Sequence, residues 1–281
     1  MRLTTKIITG IILSIFLLSL VFIIAFSFSD RKYNVNAHYI NTVYIPQGHK
    51  AGIKLEPYQV IVFEAELIDN DNHYYYMYNS CGLFVNPITT KGGENELVIP
   101  EALSGFITTQ TNNDTLTVKI QLDEIRKKYD EKNAASRNYN LAIPFSGINL
   151  YLYTSHINVI NNVNRLLTKV VHFDTDSIFV SSAGDMEIDS CIANVIEPLV
   201  SRYRDLTIKN SHIKALHRDL DKTDSWTIEN CDIEEEILSG SGRHHTTNNR
   251  QESRKLTWNP KNESAELVIT LKNDTAQIIF P

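Results

Sequence analysis

The sequence is poor in cysteine and has no excess of positive charge. Three cysteines occur in 281 residues, Cys81, Cys191 and Cys231. No two of them form a C-x-x-C pair, which argues against a structural zinc site and against thioredoxin-type redox chemistry. The 27 Lys and Arg are outnumbered by 33 Asp and Glu, for a net charge of −6. That sign is wrong for a nucleic-acid binder, and no basic stripe interleaved with aromatics offsets it. No glycine-rich phosphate loop and no G-x-S-x-G occur, and no Ser/His/Asp set stands out. These absences exclude nucleic acid as a partner, imply no cofactor and no metal, and point away from an enzyme.

What is present is apolar and β-forming. Hydrophobic residues make up 42% of the chain, enough for a core in one large or two small domains. Thr, Ile, Val and Tyr are spread along the chain after residue 30, a composition that favours strands.

The run "IITGIILSIFLLSLVFIIAFSFS", Ile7 to Ser29, carries no charge. A helix needs roughly 20 apolar residues to cross a bilayer, so the run reads as an uncleaved anchor. Arg2 and Lys6 precede it, and Asp30, Arg31 and Lys32 follow, so the flanking charges orient it only weakly. The large downstream part favours a cytoplasmic N-terminus, with the main domain in the periplasm or otherwise outside the cytoplasm. A signal peptide cleaved near Ala25-Phe26-Ser27 is the competing reading, and the protein is then secreted. No cysteine sits in or just after the run, which excludes lipoprotein anchoring.

Four regions follow from the pattern: a short tail and anchor at 1–29, an N-terminal β region at 30–121, a polar or helical excursion at 122–138, and a repeat region with closing strands at 139–281. The excursion, "LDEIRKKYDEKNAASRN", is taken as the seam between two β regions. A second polar stretch, Ser239 to Lys255, is expected to be an exposed loop. The tail "AELVITLKNDTAQIIF" reads as two strands around an Asn273-Asp274 turn.

Three lines of the repeat region match at a spacing of twenty: "DMEIDSCIA" from Asp185, "DLTIKNSHI" from Asp205 and "SWTIENCDI" from Ser225. Met186, Leu206 and Trp226 share a column, as do Ile188, Ile208 and Ile228. Val180, Val200 and Leu220 form a third column, and Ala193, Ile213 and Ile233 a fourth. Ser190, Asn210 and Asn230 align as a polar step, followed by Cys191, Ser211 and Cys231. One such unit cannot bury its apolar face, whereas stacked units can. The expected fold is all-β: a single-pass N-terminal helix followed by a β-solenoid-like domain with coils of about 20 residues. Like residues then stack at the strand spacing of about 4.8 Å. Cys191 and Cys231, two coils apart, are too distant for a disulfide and are expected to be small buried thiols.

These lines, together with "NDTLTVKI" (Asn113 to Ile120), the ending "AELVITLKNDTAQI" and the preceding anchor, resemble the auto-transporter adhesin head (GIN) domain family of Bacteroidetes envelope proteins. The resemblance implies an envelope-exposed β-solenoid with an adhesion or binding role, and it brings no catalytic residues. A non-enzymatic binding protein is therefore the expectation, with a surface glycan or an envelope protein as partner and the membrane engaged through the N-terminal helix. A carbohydrate-active β-helix enzyme and a purely structural envelope protein are the rivals.

Among candidate ligand residues, Tyr74, Tyr75, Tyr76 and Tyr78 stand out, because aromatic faces stack on sugars and tyrosine favours interfaces. His244-His245 reads as solvated loop rather than a metal site. Asp185, Asp205, Asp189 and Glu229 invite comparison with the paired carboxylates of glycan hydrolysis, but Asp or Ser before a strand ordinarily shapes a corner. Glu234, Glu235 and Glu236 read as a solvated acidic face rather than a calcium site.

The stacked register generates one prediction. Ile208→Asp places an unpaired charge between two stacked isoleucines and unfolds the domain. A variant as heat-stable as the parent contradicts the register.

Overall fold

A computed structural model describes residues 42–69, 72–89, 93–129, 142–223, 225–248 and 253–271. The expected anchor at 7–29 and the expected Asn273-Asp274 turn lie outside the described residues. Among the described residues no helix is long and apolar enough to cross a membrane. The described residues from Val43 onward belong to one compact unit, and their fold is all-β with a single short α-helix.

The strands are short, as a chain of β-branched residues punctuated by Asn, Asp and Gly dictates. First come β1 (Val43–Tyr44), β2 (Lys50–Lys54), β3 (Val60–Ala65), β4 (Tyr74–Met77), β5 (Gly82–Pro87) and β6 (Glu96–Pro100). β7 (Ile107–Asn112) and β8 (Thr115–Ile120) lead into helix α1 (Leu122–Tyr129). After it follow β9 (Ala142–Ser146), β10 (Asn149–Thr154), β11 (Asn158–Asn161), β12 (Leu167–Val171) and β13 (Asp174–Ser182). The repeat lines supply β14 (Met186–Asp189), β15 (Ile192–Val200), β16 (Asp205–Lys209), β17 (His212–Asp219), β18 (Ser225–Glu229) and β19 (Asp232–Gly240). The chain continues through β20 (Arg243–Asn248), β21 (Ser253–Pro260) and β22 (Glu266–Leu271).

From β11 to β19 consecutive strands alternate between two large sheets. One has the order β18-β16-β14-β12-β5-β10-β6-β2, the other β21-β19-β17-β15-β13-β11-β3-β8-β7. Neighbours from β12 onward pair in parallel. Met186 pairs with Leu206 and Leu206 with Trp226, while Ile188, Ile208 and Ile228 pair in the adjacent row. Their side chains are buried apart from Trp226, which packs partly buried at the edge of the core.

The turn of chain before Met186 is two residues shorter. Thr168 pairs with Met186, and Ser182 with Val200. Val180 accordingly pairs with Pro198, so the expected column Val180, Val200, Leu220 is broken at its first member. The reason lies at the corner. Ala183-Gly184 turns more tightly than the equivalent Ser201 to Arg204, and Gly184 lies so close to the Leu166 carbonyl that a Cβ there would clash.

The polar step is a ladder of left-handed corners. His172, Ser190, Asn210 and Asn230 have φ of 61°, 56°, 50° and 53°. The amides of His172, Ser190 and Asn210 donate to the carbonyls of Asp189, Lys209 and Glu229 on the next turn of chain, at 3.1, 3.0 and 2.9 Å. Asn tolerates this conformation better than most residues because its short side chain bonds locally. Asn210 Nδ2 donates to Asp189 Oδ1 at 3.0 Å.

All three cysteines are free thiols. Cys191 is buried, and burial pushes its thiol up to about 11, the behaviour of an inert packing residue. Cys231 is only partly buried. Ser211 stands between them, its hydroxyl accepting the Cys191 amide at 3.1 Å.

Segment 122–138 does not separate the sheets. Its first half is α1, which buries Leu122 and Ile125; the rest lies outside the described residues. Strands from before the helix join strands from after it: β3 pairs with β11, and β5 with both β10 and β12. The stretch Ser239–Lys255 is not one exposed loop either. β20 lies within it and pairs with β22, which supplies the hydrogen-bond partners its polar composition concealed.

The corner ladder yields a second prediction. Asn210→Ala forces a Cβ-bearing residue without a local hydrogen bond into the left-handed region and lowers the unfolding free energy by about 1 kcal/mol. Asn210→Gly, free of that strain, loses less. Denaturant titration of the two variants checks the order, and the reverse order contradicts a conformational role for the ladder.

Candidate functional site

β4 belongs to a small parallel sheet of order β1-β9-β4. Val43 pairs with Phe145, and Phe145 with Met77; these three are buried and set the inner face. Strand alternation then turns the next residues outward. Tyr44 lies beside Ser146, Tyr76 beside Pro144, and Tyr74 beside Ala142. Tyr44 is 52% and Tyr74 38% exposed. Just past the strand, the Tyr78 amide donates to the Phe145 carbonyl.

Three of the four expected ligand tyrosines thus share one outer face, joined by Tyr44, which sequence reasoning missed. The rings of Tyr76 and Tyr78 meet edge to face at 5.7 Å. Arg165, from the loop before β12, lies 5.1 Å from the Tyr76 ring centroid. Ser80 and Ser146 share a hydroxyl hydrogen bond of 2.8 Å at the margin. Burial, then the hydrogen bond with Tyr78, raises the Tyr76 hydroxyl above its ordinary 10.0, so it remains a neutral hydrogen-bonding phenol. The face offers aromatic surface, hydroxyls and a guanidinium.

Tyr75 does not belong to it. Its ring is fully buried and packs edge to face on Phe145 at 5.5 Å. Its hydroxyl reaches a polar network instead, 2.9 Å from Asp69 Oδ2 and 3.2 Å from Asp123 Oδ1, either of which can accept its one hydrogen. Asp69 Oδ1 accepts the His73 amide at 2.7 Å, and Oδ2 lies 2.9 Å from His73 Nδ1. Arg126 Nη1 donates to Asp69 Oδ2 at 2.7 Å. Burial pushes the Asp69 carboxyl up, but the His73 amide and the Tyr75 hydroxyl outweigh it and hold the group below its ordinary 3.8. Burial likewise raises the Tyr75 hydroxyl. An Asp–His pair can serve proton transfer, but here the carboxylate also holds Arg126 and Tyr75. The network braces β4 against α1 and keeps the outer tyrosines in place.

A second aromatic pair lies on neighbouring strands β5 and β10. Phe84 and Tyr151 stack at 4.9 Å, and Lys50 Nζ lies 4.0 Å from the Tyr151 ring centroid. In-register pairing of Tyr151 with Phe84 brings these rings face to face.

Several of the other sequence candidates have structural partners. The Asp205 amide donates to Asp185 Oδ1 at 3.2 Å, so this carboxylate fastens successive corners. Asp189 accepts from Asn210, and Lys209 joins it at 3.8 Å. Glu236 is not on a solvated face: it is buried and paired with Arg218. Glu235 pairs with Lys255 at 2.8 Å, while Glu234 is exposed. His244 sits on β20, 2.9 Å from Asp221 and beside Trp258, rather than in a free loop. Among the described residues no group of three His, Cys, Asp or Glu could hold a metal ion.

The brace predicts an acid dependence. A carboxyl whose folded pKa lies below its unfolded value stabilises above the unfolded pKa, and the contribution is lost as pH falls through the folded pKa. Asp69→Asn is therefore less stable than the parent at neutral pH, and the difference shrinks below the ordinary 3.8. Unfolding free energies measured across that range check this; a constant difference contradicts it.

No protein-family model matches the chain, and no curated protein matches it. Among solved structures, a candidate adhesin from Bacteroides fragilis aligns at 13% identity and a TM-score of 0.47, over 82% of this chain and 96% of that one. A candidate lipid-binding protein from Parabacteroides distasonis aligns at 9% identity and a TM-score of 0.36, over 83% of this chain and 98% of that one. A candidate adhesin from Parabacteroides merdae aligns at 9% identity and a TM-score of 0.36, over 83% of this chain and 100% of that one.

Proposed function

We propose that this chain is an extracytoplasmic, non-enzymatic binding protein of the adhesin type, a β-solenoid anchored by residues 7–29. Its outer tyrosine face holds a surface glycan or an envelope protein. The observation that carries the reading is the projection of Tyr44, Tyr74, Tyr76 and Tyr78 from one small sheet with Arg165 beside them. Tyr and Arg are the residues that interfaces enrich, and a tyrosine ring offers an apolar face and a polar tip to a sugar. In-register parallel pairing of the twenty-residue lines supports the solenoid reading. The uncharged run at 7–29 supports the anchor, and the resemblance to the GIN domain family supports the placement on the envelope.

The test is a thermal-shift screen of the full chain in detergent against envelope and host glycans, with crosslinking in the envelope for protein partners. A ligand bound only by the folded state at 100 times its Kd adds about 2.7 kcal/mol. The expected result is a ligand-induced shift that Tyr74→Ala combined with Tyr76→Ala removes. Glu234→Gln, on an exposed residue outside this face, leaves it intact. A ligand or crosslinked partner retained by the tyrosine variant overturns the assignment of this face.

A further inference from the structure

The strands β13, β15, β17, β19 and β21 carry two outward rows that the repeat columns did not reveal. One is Asp174, Ile192, His212 and Asp232; the other is Asp176, Asn194, Lys214, Glu234 and Arg254. Between them runs an inner row of Thr175, Ala193, Ile213, Ile233 and Ser253. Pairing holds along the first and inner rows and is interrupted along the second: Thr175 pairs with Ala193 and Ser177 with Val195, but Asp176 and Asn194 are skipped. The same skip recurs at Lys214, Glu234 and Arg254. The two rows thus wall a trough along the stacking direction. A cavity of about 560 Å³ occupies it, bounded by Asp174, Asp176, Ile192, Asn194, His212 and Lys214.

The charges in the trough come in bands. β13 contributes two carboxylates, β15 an apolar and an amide side chain, and β17 an imidazole and an ammonium. Ile192, on the middle strand, is 52% exposed. Two of the walls are internally occupied: Asn194 donates to Asp176 at 2.7 Å, and His212 Nδ1 lies 3.1 Å from Asp232. Among the described residues no side chain hydrogen-bonds to or pairs with Asp174 or Lys214, and both are exposed. They lie two strands apart along the stack, about 9.6 Å at the sheet spacing, and are offset by two residues along the strands.

The geometry points to a second binding site, a trough that takes an extended zwitterionic peptide about three residues long. Its ammonium lies against Asp174 and Asp176, its carboxylate against Lys214, and an apolar middle side chain on Ile192. Three extended residues span about 10 Å, which matches the separation of the bands. A neutral glycan gains nothing from opposed charges, a polyanion meets the Asp174 band, and a polycation meets the Lys214 band. A second copy of the chain can also set acid band against basic band about a two-fold axis at Ile192. Two such walled troughs facing each other leave the space between their walls empty, whereas a slender chain fills it.

Saturation-transfer NMR on the full chain, with Ala-Leu-Ala and its acetylated, amidated analogue as probes, tests the site. The free tripeptide receives saturation, and the blocked analogue receives far less. Asp174→Asn and Lys214→Gln, both on exposed side chains, each weaken the free tripeptide about threefold to fivefold, the scale of an exposed ion pair. Tyr74→Ala leaves tripeptide binding unchanged, which separates this site from the tyrosine face. Equal transfer to both probes, or transfer to neither, overturns the proposal. A dimer in analytical ultracentrifugation that Lys214→Gln dissociates overturns it in favour of self-association.

Discussion

A chain that stacks its own repeats in parallel must advance one strand spacing per turn, about 4.8 Å, and no more. The corners at His172, Ser190, Asn210 and Asn230 enforce this. Each is held left-handed, and the first three donate a backbone amide to the turn above. That bond fixes height and register together, so the inner columns of Met186, Leu206, Ile188, Ile208 and Ile228 meet like with like. Burial of those columns supplies the driving force. The corner decides which atoms share it.

Stacking like on like suits apolar residues and punishes charged ones, because equal charges directly opposite each other on neighbouring strands repel. The outward rows show the response. Lys169, Glu187 and Lys209 interleave, with Glu187 Oε1 2.9 Å from one ammonium and 2.6 Å from the other. Asp232 is shared between His212 and Arg254. The repeats therefore stay alike inside and diverge outside. Divergence at Asp174, Ile192 and Lys214 is what gives the trough a pattern of its own.

The same logic explains what the sequence disclosed. Columns twenty apart were visible because inner residues repeat; the polar step was visible because only a few residue types tolerate a left-handed corner. The two-residue contraction before Met186 was hidden, since it depends on how close Gly184 comes to Leu166, a contact across the stack. Continuity of the sheets past 122–138 was hidden too. Ile61 pairs with Val159, and a polar helix between them reads locally as a boundary. Four clustered tyrosines were legible as a candidate site and period-two alternation separated Tyr75 from its neighbours. Tyr44, thirty residues from Tyr74, carried no local signal. Nor did Arg126, which meets Asp69 only because α1 folds back beside β4.

One buried feature runs against the economy of the stack. Glu236 lies in a row with Ile196, Leu216 and Leu256, and Arg218 pairs in register with Leu238. Both side chains are buried and pair with each other, with Arg218 4.0 Å from the Trp226 ring centroid. A buried ion pair is seldom more stabilising than the apolar pair it replaces, because both ions lose their hydration. Neighbouring rows show that leucine fits here. What leucine cannot do is distinguish one turn of chain from another. Repeats with interchangeable apolar columns allow β19 to pair with β15 as readily as with β17, skipping a turn. Such a slip leaves Glu236 buried without Arg218, and breaking a buried pair costs about 3–5 kcal/mol. The charge that is poor as glue is effective as an address, and it sits within the copies where the sequence repeats most faithfully.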